Sequence, residues 1–191
     1  MLHPSGLPKN LSSLDRTLVM GVLNVTPDSF SDGGRFFDAG QAIAHAKQMI
    51  KDGADIIDIG GESTRPGSER ISAQVEIDRV LPIISALADT GAVLSIDTMR
   101  TEVAQVAVSA GAQIVNDVSG GKADPEMLSY MATLDIPYIL MHWRGPSNIM
   151  NTLTDYTDVV ADVASEISSQ VDVAAAAGVV RDRIVVDPGI G

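Results

Sequence analysis

The chain lacks the residues and segments that several protein classes require. It contains no cysteine, which excludes disulfides and thiolate metal sites and is typical of a cytoplasmic protein. No apolar run reaches the about 18 residues that a membrane span needs. The polar segment from Met1 to Arg16 also lacks the apolar stretch of a signal peptide. We therefore expect a cytoplasmic protein without a membrane partner.

Positive charge is also scarce. The 191 residues include 13 Lys and Arg against 25 Asp and Glu, which gives a formal net charge of -12 at pH 7. A nucleic-acid-binding protein normally presents a basic face, and no basic cluster is visible in this sequence. We expect no nucleic-acid partner, and an anionic ligand would depend on a few local cations.

Short apolar runs, rich in isoleucine and valine, alternate with longer amphipathic stretches. The runs cover residues 17–24, 54–60, 92–97, 113–117, 138–142 and 184–187. Helical spacing of apolar residues extends over 39–52, 72–89, 102–109, 125–134 and 155–177, with Ser72 as an expected N-cap and Pro82 where a kink can form. This alternation is typical of parallel strands that helices cover on both faces or around a barrel.

Polar residues end almost every predicted strand. They are Asn24, Asp58, Asp97, Asn116, Asp117, His142 and Asp187. In a barrel these side chains would meet at one mouth, where such enzymes hold their active sites, whereas a doubly wound sheet would gather them less completely. No Gly-x-Gly-x-x-Gly follows the first strand, which disfavours a dinucleotide-binding fold. We therefore predict an α/β protein of the TIM (β/α)8 barrel class.

The number of strand–helix units is smaller than a complete barrel needs. Such a barrel has eight strands and typically about 250 residues. We expect about six of the eight βα units, with residues 1–16 as a lead-in segment and 17–191 as a barrel domain incomplete at its C-terminus. Because an open arc exposes apolar edge strands, the isolated chain is expected to be unstable or to self-associate.

The segment from Met20 to Gly34 joins a strand end to a loop of small and polar residues. Asn24 offers a neutral oxygen ligand for a hard cation such as magnesium. Phe30 and Asp32, followed by two glycines, fit a lid that closes over a substrate. A solvated turn would explain the same composition equally well.

The segment from Gly60 to Gly67 has the composition of an anion contact. Its glycines let backbone N–H groups approach an anion, and Ser63 and Thr64 add hydroxyl donors. Arg65 can clamp an oxyanion through two hydrogen bonds. The segment therefore predicts a diphosphate contact, and the alternative is a strand-to-helix loop whose arginine forms a surface ion pair.

Three strand ends carry groups that suit a flat, nitrogen-rich ring. Asp97 and Asp187 can each accept two parallel N–H bonds from an amino-pyrimidinone, and Asn116 can both donate and accept. Met141 and Val118 can form apolar walls against such a ring. Taken singly, each of these residues fits a loop cap or a core position as well.

The other polar residues near the strand ends are assigned supporting roles. His142 is interpreted as a packing residue, because no second histidine lies at ligand spacing. Asp58 and Glu62 are interpreted as structural acids or supports of the loop and the metal shell. Arg100 and Arg144 are interpreted as surface or helix-start residues.

These segments together resemble the dihydropteroate synthase family, from about Leu18 to Gly191. The matching stretches are NVTPDSFSDGG from Asn24, DIGGESTRPG from Asp58, SIDT from Ser95, NDVSGG from Asn116, LMHWRG from Leu140 and DPGIG from Asp187. Six stretches in the family's order are highly specific. The resemblance implies a (β/α)8 barrel that joins 6-hydroxymethyl-7,8-dihydropterin diphosphate to 4-aminobenzoate, releasing diphosphate.

The resemblance also implies a role for each matching residue. Asp97, Asn116 and Asp187 would hold the pterin ring, with Met141 and Val118 lining its slot. The residues implied for the rest of the site are Thr64 and Arg65 at the diphosphate, Asn24 at Mg²⁺, Phe30 and Pro66 at the 4-aminobenzoate pocket that sulfonamides also occupy, and Asp32 in the closing loop. Catalysis would depend on Asp97, Arg65 and Asp32.

The sequence departs from the family at its end. The family's Ser-Arg-Lys and Arg-x-His segments, whose basic residues contact pterin, 4-aminobenzoate and diphosphate, have no counterpart here. The resemblance therefore implies little activity for these residues alone, and a homodimer for the complete enzyme only.

Other functions use similar residues. A pterin-binding methyltransferase shares the barrel and the ring-binding Asp and Asn, but does not need the two diphosphate loops. A non-catalytic pterin-binding fragment is the second alternative, although it would be expected to lose loop residues that match here. A generic phosphate-binding barrel leaves the co-occurrence of the six stretches unexplained.

Overall fold

Six parallel strands form one sheet in sequence order. The computed structural model describes residues 3–26, 39–63 and 70–190. The strands are β1 (Met20–Asn24), β2 (Ile56–Gly60), β3 (Val93–Asp97), β4 (Ile114–Asp117), β5 (Tyr138–Met141) and β6 (Ile184–Asp187), and each pairs with the next in parallel. The predicted alternation of parallel strands and helices is confirmed, with six strands and five strand–helix units in the described residues.

In the described part of the chain, one short helix precedes the first strand, and five helices lie between successive strands. They are α1 (Lys9–Ser12), α2 (Ala39–Lys51), α3 (Ala73–Leu87), α4 (Thr101–Ser109), α5 (Met127–Ala132) and α6 (Val159–Ala176). The Ser72 hydroxyl caps α3 by accepting from Val75 N at 3.3 Å, and Pro82 lies inside that helix. Among the helices described, none is long and apolar enough to cross a membrane.

Alternation along the strands separates two faces of the sheet. One face carries Leu23, Ile57, Ile59, Leu94, Ile96, Val115 and Leu140, all fully buried in the main core. The other face carries Ile56, Val93 and Ile114 near the strand starts, and polar residues toward the strand ends. Because successive side chains of a strand point to opposite faces, Asp58, Asp97 and Asn116 share one side of the sheet. Asp117, next to Asn116, lies on the core side with Leu140.

The N-terminal segment closes the amino end of this second face. Leu7 and Leu11, the latter on α1, are buried against Ile56, Val93 and Ile114. Ser5 N also donates to Asp182 O at 2.7 Å, which ties the segment to the chain just before β6. The described part of the lead-in is therefore packed into the same core as the strands.

The outer strands of the described sheet expose apolar surface. Val22 on β1 is 57% exposed and Val186 on β6 is 52% exposed. Within the described ranges, β1 and β6 each pair with one neighbouring strand. This is the exposure of edge strands that the sequence predicted.

A buried acid anchors the loop that follows β4. Asp117 Oδ1 accepts from the backbone N and the hydroxyl of Ser119 at 2.8 and 2.6 Å. Asp117 Oδ2 accepts from Gly121 N and from the Tyr138 hydroxyl, each at 2.8 Å. Burial raises the pKa of Asp117, although the hydrogen bonds from Ser119 and Tyr138 oppose that rise. Four donors therefore fix the backbone on both sides of this loop.

We predict that Leu11→Ala lowers the free energy of unfolding by about 2–3 kcal/mol, because it leaves a cavity at the base of the strands. Lys9→Ala in the same helix is the control, since Lys9 is exposed and should change it by less than about 0.5 kcal/mol. Urea unfolding of the three proteins measures the difference. Equal midpoints for both variants would show that α1 does not contribute to the core.

We predict that Tyr138→Phe costs about 1–2 kcal/mol, because it removes a buried hydrogen bond to a carboxylate. Tyr130→Phe is the matched control, since Tyr130 is only partly buried and its hydroxyl is not among the donors to Asp117. Chemical unfolding followed by circular dichroism provides the comparison. The anchoring role is wrong if the two substitutions cost the same.

Candidate functional site

The polar strand ends meet on the inner face of the sheet. The register places Asn24 beside Gly60, Gly60 beside Asp97, and Asp97 beside Asn116. Asn116 Nδ2 donates to Asp58 Oδ2 at 2.9 Å, although β3 lies between their strands. A hydrogen bond across an intervening strand requires both side chains to point into the concave side of a curved sheet. The predicted convergence is therefore present for Asp58, Asp97 and Asn116. It is wrong for Asp117, whose side chain points to the core face and accepts from Tyr138.

Asp97 lies among other carboxyl groups. Burial is the largest cause that raises its pKa well above the usual range, and repulsion from Asp58, Glu76, Asp117 and Glu62 adds to it. Burial also raises the pKa of Asp58, while Ser95 and Asn116 lower it. A ligand that brings N–H donors or positive charge would relieve this repulsion and favour the ionised carboxylates.

A cavity of about 430 Å³ opens beside these acids. Val118 and Met141, predicted as the walls of a ring slot, both line it, together with Met99 and Trp143. Met99 also lines a small crevice that contains Asp97, so the two spaces adjoin. An apolar cavity next to a row of acceptors suits a flat heterocycle with N–H groups at one edge.

Two basic residues that were not predicted from the sequence also line this cavity. They are Arg70 and Lys122, and the ammonium of Lys122 donates to Trp143 O at 2.9 Å. Each follows a glycine-rich stretch, GGESTRPG or SGG, within a few residues, and this position was the available signal.

Asp187 lies at the end of β6, beside Met141 in the register. Its Oδ1 accepts from Gly189 N at 2.7 Å, so one carboxylate oxygen caps the next turn. The interpretation as a loop cap therefore applies to that oxygen. A ring-binding role for Asp187 stays a prediction.

Arg100 does start a helix, since it is the N-cap residue of α4, but it is not a surface residue. Its side chain is 17% exposed, and its guanidinium bridges Glu62, at 2.8 Å, and Glu76. It also donates to Ile71 O, while Ile71 N donates to Glu62 Oε2 at 3.1 Å. This arrangement joins the residues before and after the segment 64–69, and it explains the structural role expected for Glu62.

His142 and Arg144 contact the same acid on α6. His142 Nε2 lies 2.8 Å from Glu166 Oε2, in agreement with a packing role for this histidine. Arg144 pairs with both oxygens of Glu166 and stacks 3.7 Å above the Tyr156 ring. Hydrogen bonding from Arg144 lowers the pKa of Glu166 to about 2. Arg144 therefore fixes the β5–α6 connection, which sequence analysis did not foresee.

Asn24 is exposed at the end of β1, and its role as a metal ligand stays a prediction. Within residues 3–26, 39–63 and 70–190, no group of three or more His, Asp or Glu side chains could hold a metal ion by itself. The predicted residues Phe30, Asp32, Thr64, Arg65 and Pro66 lie outside the described residues, so their roles stay predictions.

Known proteins share this sequence and fold. A family described as pterin binding enzyme matches residues 20–191. Dihydropteroate synthase of Synechocystis sp. is 50% identical over 192 residues, covering 98% of this chain and 66% of the relative. Dihydropteroate synthase of Bacillus subtilis is 49% identical, covering 96% of this chain and 62% of the relative. The chain thus spans slightly less than two thirds of the length of these relatives.

Solved structures agree with the sequence matches. Xanthomonas albilineans dihydropteroate synthase with 4-aminobenzoic acid superposes with a TM-score of 0.84 at 42% identity, over 93% of this chain and 63% of that one. The Yersinia pestis enzyme in a sulfonamide drug complex gives 0.85 at 41% identity, over 92% and 64%. These matches confirm a partial α/β barrel. The match over residues 20–191, carried by a barrel whose inner strand ends hold Asp97 and Asn116, shows that this chain belongs to the pterin-binding enzyme family.

Proposed function

We propose that this site belongs to a dihydropteroate synthase, which condenses 6-hydroxymethyl-7,8-dihydropterin diphosphate with 4-aminobenzoate to give 7,8-dihydropteroate and diphosphate. The observation that carries the proposal is the pairing of Asp97 with Asn116 beside a cavity walled by Val118 and Met141. The two dihydropteroate synthases that are 50% and 49% identical to this chain support the proposal. So does a structure described as a Xanthomonas albilineans dihydropteroate synthase in complex with 7,8-dihydropteroate.

The ring would bind through its N–H donors. Asp97 and Asn116 stand at the same level of adjacent strands, where both can accept from an amino-pyrimidinone edge. Asp187 would accept through the carboxylate oxygen that does not cap Gly189. Val118 and Met141 would contact the faces of the ring and exclude water from the reacting end.

The reaction is a substitution at the exocyclic methylene carbon. The nitrogen of 4-aminobenzoate forms a bond to that carbon, the carbon–oxygen bond breaks, and diphosphate leaves with the bonding pair. The attacking nitrogen then releases one of its protons to water. Positive charge develops on the electron-rich pterin as the leaving group departs. The carboxylate of Asp97 would oppose that charge, so we expect a largely dissociative path.

Cations would stabilise the leaving group. Thr64 and Arg65 are proposed to contact the diphosphate, and Arg70 and Lys122 bring positive charge to the cavity. Asn24 fits a Mg²⁺ ligand, because its amide oxygen is a hard donor and magnesium takes other ligands from substrate phosphates and water. Bound Mg²⁺ would neutralise charge on the diphosphate.

The remaining proposals concern the second substrate and the setting of the enzyme. Phe30 and Pro66 would shape the 4-aminobenzoate pocket, and Asp32 would act in the closing loop. We propose a cytoplasmic enzyme that forms a homodimer when complete. The absence of cysteine and the net charge of -12 support a cytoplasmic protein with small-molecule partners rather than nucleic acid.

Magnesium should strengthen binding of the pterin diphosphate ester but not of the pterin alcohol that lacks the diphosphate. We expect Mg²⁺ to tighten binding of 6-hydroxymethylpterin diphosphate at least tenfold and to leave 6-hydroxymethylpterin unchanged, because only the ester offers phosphate ligands. Calorimetric titration of the purified chain, with and without EDTA, gives both affinities. Equal affinity for the two ligands would favour a pterin-binding methyltransferase, and 7,8-dihydropteroate formation by the protein provides the direct assay.

Asp97→Asn should weaken pterin binding at least tenfold while stabilising the fold at pH 7, since it removes a buried carboxylate with a raised pKa. A raised pKa means that the folded wild type loses stability as pH rises through that pKa. The gain in the variant should therefore be largest above the raised pKa of Asp97, shrink as pH falls below that pKa, and vanish below the ordinary aspartate pKa of the unfolded chain. Urea unfolding at several pH values measures the gain, and unchanged pterin affinity would refute the role of Asp97.

A further inference from the structure

Asp58 occupies a layer beneath the acceptors of the proposed pterin site. It lies in the middle of β2, pairs in register with Ser95, and is 3% exposed. Gly60 and Asp97 pair one layer closer to the mouth. The sequence alone indicates only that Asp58 is a structural acid or a support of the loop and the metal shell.

The two carboxylate oxygens of Asp58 have different surroundings. Oδ2 accepts from Asn116 Nδ2 at 2.9 Å. Oδ1 is buried and has no hydrogen-bond partner among the described residues, and the same holds for the nearby Ser95 hydroxyl. Ser95 lies close enough to lower the pKa of Asp58 without meeting hydrogen-bond geometry. The bond to Asn116 is thus the one that directs this carboxylate.

The buried carboxylate of Asp58 is expected to destabilise the folded state. A buried carboxylate with a single hydrogen bond carries a large desolvation cost. It also repels Asp97, which lies in the same interior. Asp58 instead affects the orientation of its hydrogen-bonding partner, Asn116.

The two ends of an asparagine amide have opposite hydrogen-bonding character. A carboxylate can only accept, so it binds the Nδ2 end of Asn116 and leaves Oδ1 to face elsewhere. We propose that Asp58 is a positioning residue that fixes the amide of Asn116 with its oxygen toward the ligand. Asp58 thereby selects heterocycles with an N–H donor at that edge over heterocycles with a carbonyl there. This inference rests on the proposed function, in which Asn116 contacts the pterin.

Two probes that differ in one edge group test the selection. 6-Hydroxymethylpterin carries a 2-amino donor, and 6-hydroxymethyllumazine carries a 2-carbonyl acceptor in its place. We expect the wild-type chain to prefer the pterin. In Asp58→Asn, residue 58 can donate or accept, so the Asn116 amide can adopt either orientation. The preference should fall about tenfold, a change of about 1.4 kcal/mol.

Two further variants separate positioning from stability. Glu76→Gln also neutralises a buried acid, whose partners are Thr98 and Arg100, and should lower both affinities in proportion without changing their ratio. The exchange variant D58N/N116D lets residue 58 donate while the new carboxylate presents an acceptor to the ligand. We expect it to restore preference for the pterin, which a purely structural role would not do.

The outcomes distinguish this inference from the proposed function. An unchanged preference in Asp58→Asn, or no recovery in a folded D58N/N116D, would overturn the positioning role of Asp58 alone. A wild-type chain that binds neither heterocycle would overturn the proposed function and the inference together. Circular dichroism of each variant shows which proteins are folded before the affinities are compared.

Discussion

Burial of several acids on one side of a parallel sheet is the constraint on which the rest of this structure depends. Strand alternation sends isoleucine and leucine to the helices and sends Asp58 and Asp97 inward. Carboxylates held there repel one another and lack water, which is why the pKa values of both are raised. The inner face therefore favours binding of a ligand that supplies hydrogen-bond donors and positive charge.

The surrounding structure limits that repulsion by giving other acids full sets of partners. Arg100 pairs with Glu62 and Glu76, and the Thr98 hydroxyl donates to Glu76 at 2.6 Å. Asp58, by contrast, has one buried carboxylate oxygen without a partner among the described residues. Acids that support the loops are thus satisfied by the protein, and acids in the proposed ring site are left for a ligand.

Much of this arrangement follows from local sequence pattern. Short apolar runs that end in polar residues predicted the strands, their parallel order and the meeting of Asp97 with Asn116, because these depend on alternation and topology. The pairing of Arg100 with two glutamates could not be read in the same way. Glu62 and Glu76 are 38 and 24 residues away in sequence, and the packing of α3 against β2 and α4 brings them together. The contribution of Leu7 and Leu11 to the core was missed for a similar reason, since a four-residue helix has too little periodicity to show an apolar face.

The hydrogen bonds that Asp117 accepts respond differently to acid and to base. Burial and the adjacent carboxylate raise the pKa of Tyr138, so its hydroxyl keeps its proton to a higher pH than an ordinary tyrosine. Asp117 instead gains a proton at a higher pH than an ordinary aspartate, because burial raises its pKa. A protonated Asp117 would present a donor where Ser119, Gly121 and Tyr138 all offer donors. Acidification is therefore expected to weaken the hydrogen bonds that hold the backbone around Val118, and with it one wall of the cavity.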